Sequence, residues 1–553
     1  MISYIMGLLL FGGFYDFSVL ATAVCVVAEI IVHYYKKKPV YQKKKNYILW
    51  IPTFMVIWSM VVSYWALDVS ENILGIMRGV TMLLWMYRCF LMSEEEKKKC
   101  FVITPYLGAA MVVVGMVSLI NEQSASFFWQ ARRFGGFFQY SNTCALFLLL
   151  GIVILVQQFN LRNTAKIGKI SKSADSTVIK KHIMNFVVTG LLLAGIFMTG
   201  SRSVLLLLAG WGVYTAVRIK KLRIPVLLII MGSFGIAYAY GLIAGDTQNI
   251  ARIFTLFSSN STILGRVLYD IDALSLALKY PLGLGYMGYY YMQPAVQTGV
   301  YTTMFVHNDF LQLLVDYGFV ALSAGLIYLG YQVLRGKQDA QKKELLILIL
   351  MAVFVDFHLQ YMSIFMFLIL CLDLGEKGGL KKRKELRENY IFCGITLIAA
   401  GYFTIAFGTH YLGNDSVALA MFPGYTKAQT EALNMCTDKE SAVSLADNIL
   451  THNEYISEAY HVKVYAAAMD KEYMKAMEYM DKSLAIRRYD VETYRAYDEL
   501  LTEMIRNCNE MGRTEDVEAL TEYKNNLPKM LADIEAKTHP IAFKLRDVPV
   551  FIW

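Results

Sequence analysis

The sequence is short of charge. Only 18% of its 553 residues are Asp, Glu, Lys or Arg, against roughly 25% in average soluble domains. With 56% hydrophobic residues and a mean hydropathy of +0.41, a soluble globule could not cover its surface, which excludes a simple cytosolic enzyme. Proline is also scarce: 10 residues exclude a collagen-like or proline-rich disordered chain. The eight cysteines form no C-x-x-C pair and no Cys/His cluster, so no zinc site is signalled. Six of them (Cys25, Cys89, Cys100, Cys144, Cys371, Cys393) lie in or beside apolar segments, where cysteine behaves as a small hydrophobe. Cys436 and Cys508 lie in a polar tail and read as free thiols, with pairing left open for an oxidising compartment. The N-terminus has neither a basic region nor an A-x-A site, and reads as an uncleaved membrane segment. There is no basic face interleaved with aromatic residues, so nucleic acid is not an expected partner.

The net charge of +8 hides an asymmetry. From Gly408 onward, 16 Lys and Arg face 24 Asp and Glu, a net of −8, while residues 1–407 hold 37 basic and 21 acidic residues, a net of +16. The basic residues of the first part sit in short runs between apolar stretches, the pattern of membrane topology.

A helix needs about 20 apolar residues to cross the hydrocarbon. Residues 47–67, 71–92, 100–120, 141–158, 184–200, 203–218, 224–244, 309–334 and 389–407 qualify. Residues 2–35 are interrupted at Gly12-Gly13 and residues 344–375 near Asp356-Phe357-His358. Each reads as a hairpin of two passes, giving about 13. Basic loops at 36–45, 97–99, 162–181, 218–223, 335–343 and 377–387 all face the cytoplasm in this arrangement. Loop 121–140, the turn at 200–203, the 245–305 loop and the tail then face outward. The expected fold is all-α: a polytopic helical bundle over 1–407, with a small extracytoplasmic helical domain over 408–553.

The large outer loop 245–305 is rich in Tyr, Gly and Leu, which argues against disorder. Val267, Leu268, Ile271, Leu274 and Leu278 have helical spacing and predict a helix along the interface. Within it, Gly283-Leu284-Gly285-Tyr286-Met287-Gly288 spells G-x-G-x-x-G. No strand, helix or acidic residue is apparent at the positions a dinucleotide site requires. These glycines are expected instead to let the loop approach a ligand. The tail repeats with a 34-residue shift: Asp447 aligns with Asp481, Leu450 with Leu484, Tyr455 with Tyr489, Glu458 with Glu492 and Tyr460 with Tyr494. That is the tetratricopeptide period, and such repeats bind extended partners on a concave face.

The sharpest candidates for chemistry are polar residues beside passes at the outer face. Arg202 sits in Thr199-Gly200-Ser201-Arg202-Ser203. This tight turn offers a guanidinium fork at a helix N-terminus and so suits an anion. Arg133 precedes Phe134-Gly135-Gly136-Phe137, and Arg266 follows Gly265. Three arginine sites on one face would suit a diphosphate. His307 lies in Phe305-Val306-His307-Asn308-Asp309, just before a long pass, and is the candidate proton acceptor. Asp316 and Gly318 lie two to three turns further along that helix.

Taken together and in order, Arg133-Phe-Gly-Gly-Phe-Phe with Asn142, Thr199-Gly-Ser-Arg-Ser203, Gly265-Arg266, Pro281-Leu-Gly-Leu-Gly285, and His307-Asn308-Asp309-Phe-Leu311 with Asp316-Tyr-Gly318 resemble the O-antigen ligase and polymerase superfamily. The resemblance covers roughly residues 100–375. The glutamate often found near Asp316 in this family is an aspartate here. The resemblance implies a multi-pass glycosyltransferase of the GT-C type acting on a sugar chain carried by a polyprenyl diphosphate. Arg202 and Arg266, with Arg133, would bind the diphosphate, and His307 would activate an acceptor hydroxyl. Ser201, Ser203, Asn308, Asp309, Asp316, Gly283 and Gly285 would support them. No cofactor is expected, and the outer loops read as lacking an Asp-x-Asp pair or a metal cluster. The expected partners are the lipid-linked glycan donor, a glycan or other hydroxyl acceptor, the bilayer, and a protein or glycan at the tail repeats. The rival classes are a polysaccharide or lipid-linked sugar flippase and a non-catalytic scaffold. Matching broken helices in two halves would favour the flippase. Loss of function on deleting 410–553 alone would favour the scaffold.

Overall fold

A computed structural model describes residues 1–36, 38, 40–43, 47–166, 176–218, 261–380 and 383–553, with Met231, Gly235, Tyr238 and Leu242. All but those four residues of the expected pass at 224–244, residues 167–175 and 219–223 of the basic loops, and residues 245–260 of the outer loop lie outside them. The fold is an all-α membrane bundle; the strands among the described residues are two short antiparallel pairs. Six described helices are long and apolar enough to cross a membrane: Asp16–Tyr35, Val69–Leu91, Glu94–Ser118, Ser141–Gln158, Asp309–Leu334 and Asn389–Tyr411. Tyr47–Val62, Ile183–Thr199 and Met362–Cys371 are apolar but shorter.

Both expected hairpins contain short halves. Ile2–Leu9 has eight residues, about 12 Å of helix, against roughly 30 Å of hydrocarbon. It packs on Asp16–Tyr35 after a turn at Gly12 and Gly13, both with positive φ. Likewise Ala340–Val353 and Met362–Cys371 have 14 and 10 residues. Each is shorter than the about 20 residues a full pass needs.

The chain divides into two compact units. The first comprises Met1–Pro52, Arg78–Ser259 and Leu326–Thr404. At its centre lies Ser141–Lys166, whose Ser141–Gln158 part is an apolar span with Cys144–Leu150 fully buried; such a segment belongs inside a bundle. It packs on Glu94–Ser118, Ser176–Thr199 and Arg202–Arg218. Four of the basic loops meet at one end of this unit. Lys38 pairs with Glu96 at 2.7 Å, and Lys342 with Glu94 at 3.5 Å. Lys377 Nζ donates to Met92 O at 3.1 Å, and Tyr41–Lys43 pairs with Lys377–Leu380.

The second unit comprises Thr53–Met77, Asn260–Gly325 and Ile405–Trp553. In its tail, Lys439–His452 and Tyr473–Ile486 start 34 residues apart, and so do Ser457–Met469 and Val491–Glu510. Tyr473, Ala476, Met480, Leu484, Tyr494, Tyr497 and Leu501 form the core of these helices. The fully buried Asp68 binds the tail to residues before the second long helix: it accepts from Glu71 N, Thr426 Oγ1 and Asn453 Nδ2 at 3.0, 2.6 and 3.0 Å. Beside it, Lys427 pairs with the buried Glu71 at 3.3 Å. The predicted outer-loop helix is Ser261–Lys279. Leu268, Ala273, Leu276 and Ala277 are its buried side, while Ile263, Val267, Ile271, Leu274 and Leu278 form an exposed apolar stripe, the form of an interfacial helix.

Candidate functional site

In the second unit, Arg266, Asp270 and His307 form one electrostatic cluster. Arg266 and Asp270 lie at i and i+4, on one face of Ser261–Lys279. Burial pushes the Asp270 carboxyl up to about 6, and the charges of His307 and Arg266 oppose that rise. The Tyr269 ring is 5.8 Å from His307 and 4.3 Å from Tyr301. The backbone on both sides of His307 is fixed. Val306 N donates to Gln312 Oε1 at 2.7 Å. Asn308 caps Asp309–Leu334, its Oδ1 accepting from Phe310 N and Leu311 N at 3.0 and 3.2 Å, a standard use of Asn at a helix start. Asn308 and Asp309 are both buried.

Asp270 escaped the sequence reading, although its spacing from Arg266 was the available signal. The reading of the outer loops as lacking an Asp-x-Asp pair is corrected by Asp270-Ile271-Asp272. On a helix, side chains at i and i+2 point to different sides. Asp272 turns away to accept from Thr298 N, Thr298 Oγ1 and Tyr301 OH at 2.9, 2.7 and 2.7 Å, and so pins the loop that leads to His307. The pair is not arranged to share one ion. Among the described residues, no three His, Cys, Asp or Glu side chains group in a way that could hold a metal.

Asp316 lies on the helix that follows His307, as expected, but Gly318 does not continue it. Gly318 has φ 74 and ψ −176 and breaks Asp309–Leu334. The segment Pro281–Gly285 fills the break: Phe319 N donates to Pro281 O at 3.0 Å, Leu284 N to Val315 O at 2.9 Å, and Gly285 N to Asp316 O at 2.8 Å. A Cβ on Gly318 would lie 2.5 Å from Pro281 O, and one on Gly283 2.5 Å from Asp316 O. Gly283 and Gly285 therefore approach the chain's own backbone, not a ligand as expected. The G-x-G-x-x-G spelling is followed by a nine-residue helix, Gly288–Val296, but preceded by a helix instead of a strand, so its rejection as a dinucleotide site stands. The Asp316 carboxylate is buried and accepts from Gln312 Nε2 at 2.8 Å. Gly318→Ala combines a backbone conformation open essentially only to glycine, at about 1–3 kcal/mol, with that collision. The expected result is loss of the monodisperse detergent-solubilised protein in fluorescence size-exclusion chromatography. A wild-type profile would show that the break is dispensable.

In the first unit, a two-residue hairpin carries Arg133. Trp129-Gln130 pairs with Arg133-Phe134, and Ala131 and Arg132 turn with positive φ. Arg133 Nε donates to Thr199 O at 2.8 Å, and its Nη2 to Asn142 Oδ1 at 3.0 Å. This brings Arg133 to the turn that holds Arg202. There Gly200 has φ 58, Ser201 N donates to Thr199 Oγ1 at 3.2 Å, and the hydroxyls of Ser201 and Ser203 lie 3.5 Å apart. Arg202 is the first residue of the next helix, where the N-terminal dipole favours an anion.

Sequence reasoning missed what lies behind this turn. Asn142 Nδ2 donates to the fully buried Asp356 Oδ2 at 2.6 Å, and Tyr140 OH donates to Asp356 Oδ1 at 2.9 Å. The buried Arg78 donates to Phe14 O at 3.1 Å and also to Gln360 O. Asp356 was legible only as an interruption in an apolar run. Arg133 and Arg202 belong to the first unit, and Arg266 and His307 to the second.

A multi-pass helical membrane protein with arginines and one histidine at helix starts and in the segments that join them is the class that fold and site define. Residues 187–326 match the family model described as O-antigen ligase. The resemblance seen in the motifs is borne out over that span, which holds every site residue singled out from the sequence except Arg133 and does not reach the tail. At the coarse level that match supports an enzyme of the membrane glycan ligase or polymerase class, with a lipid-linked glycan as the implied substrate. No curated protein matches the chain, and no solved structure matches it.

Proposed function

We propose that the protein polymerises or ligates oligosaccharide carried on a polyprenyl diphosphate, at the outer face of a bacterial cytoplasmic membrane, for surface polysaccharide assembly. The observation that carries this reading is the grouping of Arg266, Asp270 and His307 inside the span that matches the O-antigen ligase family. His307 takes the proton of an acceptor hydroxyl as its oxygen attacks the anomeric carbon. The bond from that carbon to the phosphate oxygen breaks, and the polyprenyl diphosphate leaves with the electron pair. Arg202 and Arg266, with Arg133, stabilise the developing phosphate charge without a metal. Residues 1–407 form the transferase part. Residues 408–553 form an extracytoplasmic domain of tetratricopeptide-like helix pairs, a reading supported by the 34-residue offset of its helix starts.

Reconstitution in liposomes with a polyprenyl-diphosphate oligosaccharide tests the reading. A ladder of lengthening products identifies a polymerase, and a single transfer a ligase. Arg202→Lys keeps the charge but loses the fork and is expected to raise the KM for donor about tenfold, ~1.4 kcal/mol. Absence of any transfer by the wild-type protein, with the lipid instead crossing the bilayer, would replace this reading with the flippase.

A further inference from the structure

Within the second unit, a groove of about 620 Å³ runs between the Gly288–Val296 segment and the tail helices. Ligand sites occupy roughly 300–1,000 Å³. We propose that this groove binds the acceptor saccharide; the word acceptor rests on the function proposed above.

The lining chooses among ligands. Lys427, Arg487 and Arg488 are balanced by Glu431, Glu458 and Asp490. A groove without net charge does not select a polyanion, a phosphate or a nucleic acid. Five tyrosines, Tyr290, Tyr291, Tyr301, Tyr455 and Tyr489, also line it, against four aliphatic residues, Pro294, Val300, Ile456 and Ile486. An amphipathic peptide needs apolar pockets for its anchor residues. Flat rings flanked by planar hydrogen-bonding groups suit a pyranose: its C–H face lies on the negative ring face, and its hydroxyls meet amide, carboxylate and guanidinium groups.

Those polar groups are already held in place. Arg487 donates to Ser457 Oγ at 3.0 Å, Glu458 Oε1 at 2.9 Å and Asp490 Oδ2 at 3.4 Å. Arg488 Nη1 donates to Ala295 O at 2.9 Å across the groove, and its buried Nε has no hydrogen-bond partner among the described residues. The groove also leads toward the candidate base. Tyr301 lines it, donates to Asp272 at 2.7 Å, and packs on Tyr269, the ring beside His307. A saccharide held here has its reacting end near the residue that acts on a hydroxyl, which is why the acceptor, rather than the donor diphosphate, is assigned to it.

The test uses the full-length protein in nanodiscs. The probe is a set of oligosaccharides made by partial hydrolysis of the source bacterium's own surface polysaccharide, read by saturation-transfer NMR on the sugar protons. Transfer is expected with wild type and with His307→Ala, and at least fivefold less with Tyr455→Ala and with the isosteric Glu458→Gln. If Tyr455→Ala fails to fold, Tyr290→Ala replaces it. No saturation transfer with wild type, or equal transfer in all variants, overturns the proposal, as does a groove that takes only a protein partner. The two readings fail separately. A silent groove with His307→Ala still inactive in reconstitution leaves the transferase reading standing. Saccharide binding by a wild-type protein that shows no transfer in reconstitution removes the acceptor role and the transferase reading together.

Discussion

His307→Ala is expected to lower product formation by about 10²- to 10⁴-fold, the usual contribution of a positioned general base, while donor binding stays within about twofold. The argument rests on position. Gln312 and Asn308 hold the chain on either side of His307, so its ring is presented by a fixed backbone. Its neighbours Asp270 and Arg266 carry opposite charges, and the carboxylate can stabilise the imidazolium that forms when the proton arrives. A diphosphate binds through guanidinium groups and does not need the imidazole. Turnover in reconstituted liposomes and donor affinity from a fluorescent polyprenyl-diphosphate analogue check the two halves. A variant losing affinity in proportion to turnover would make His307 a binding residue instead.

The second large effect couples activity and stability in opposite directions. Burial raises the Asp270 carboxyl to about 6 against an ordinary 3.8. Between those values the folded chain keeps a proton that the unfolded chain has released, so stability falls as pH rises through that window. Above it, the ionised carboxylate remains a cost. Asp270→Asn is therefore expected to melt higher than wild type at pH 7, with the difference gone by about pH 4. The same change takes a charge from His307 and Arg266, and turnover should fall on the order of tenfold, ~1.4 kcal/mol in the barrier. Differential scanning fluorimetry across pH and the liposome assay together decide it. A variant less stable at pH 7 would show that the carboxylate is there for packing.

The long apolar runs made the bundle legible, because a segment such as 141–158 is hydrophobic on every side and has one environment open to it. The turn at Thr199–Ser203 was legible for the same local reason: small residues act within a few positions of themselves. What stayed hidden depends on distant partners. Nothing near Asp356 in sequence announces Asn142, 214 positions away, and nothing near Gly318 announces that Pro281–Gly285 will fill the gap it opens. In the two interrupted runs three of the four halves are short, because hydropathy reports composition, while crossing requires length. Asp270 was open to local reasoning, since it lies four residues after Arg266 on one helix face.

The way Asp68 and Glu71 are enclosed bears on how the tail can be studied. Thr426, Lys427 and Asn453 cover two carboxylates that have no exposed surface. Cutting the chain at residue 410 would strip those covers away and uncover anions at the entrance to a long apolar helix. A truncated protein that failed in the cell would be reporting a damaged transmembrane half, and substitutions confined to the groove are the cleaner way to ask what residues 408–553 contribute.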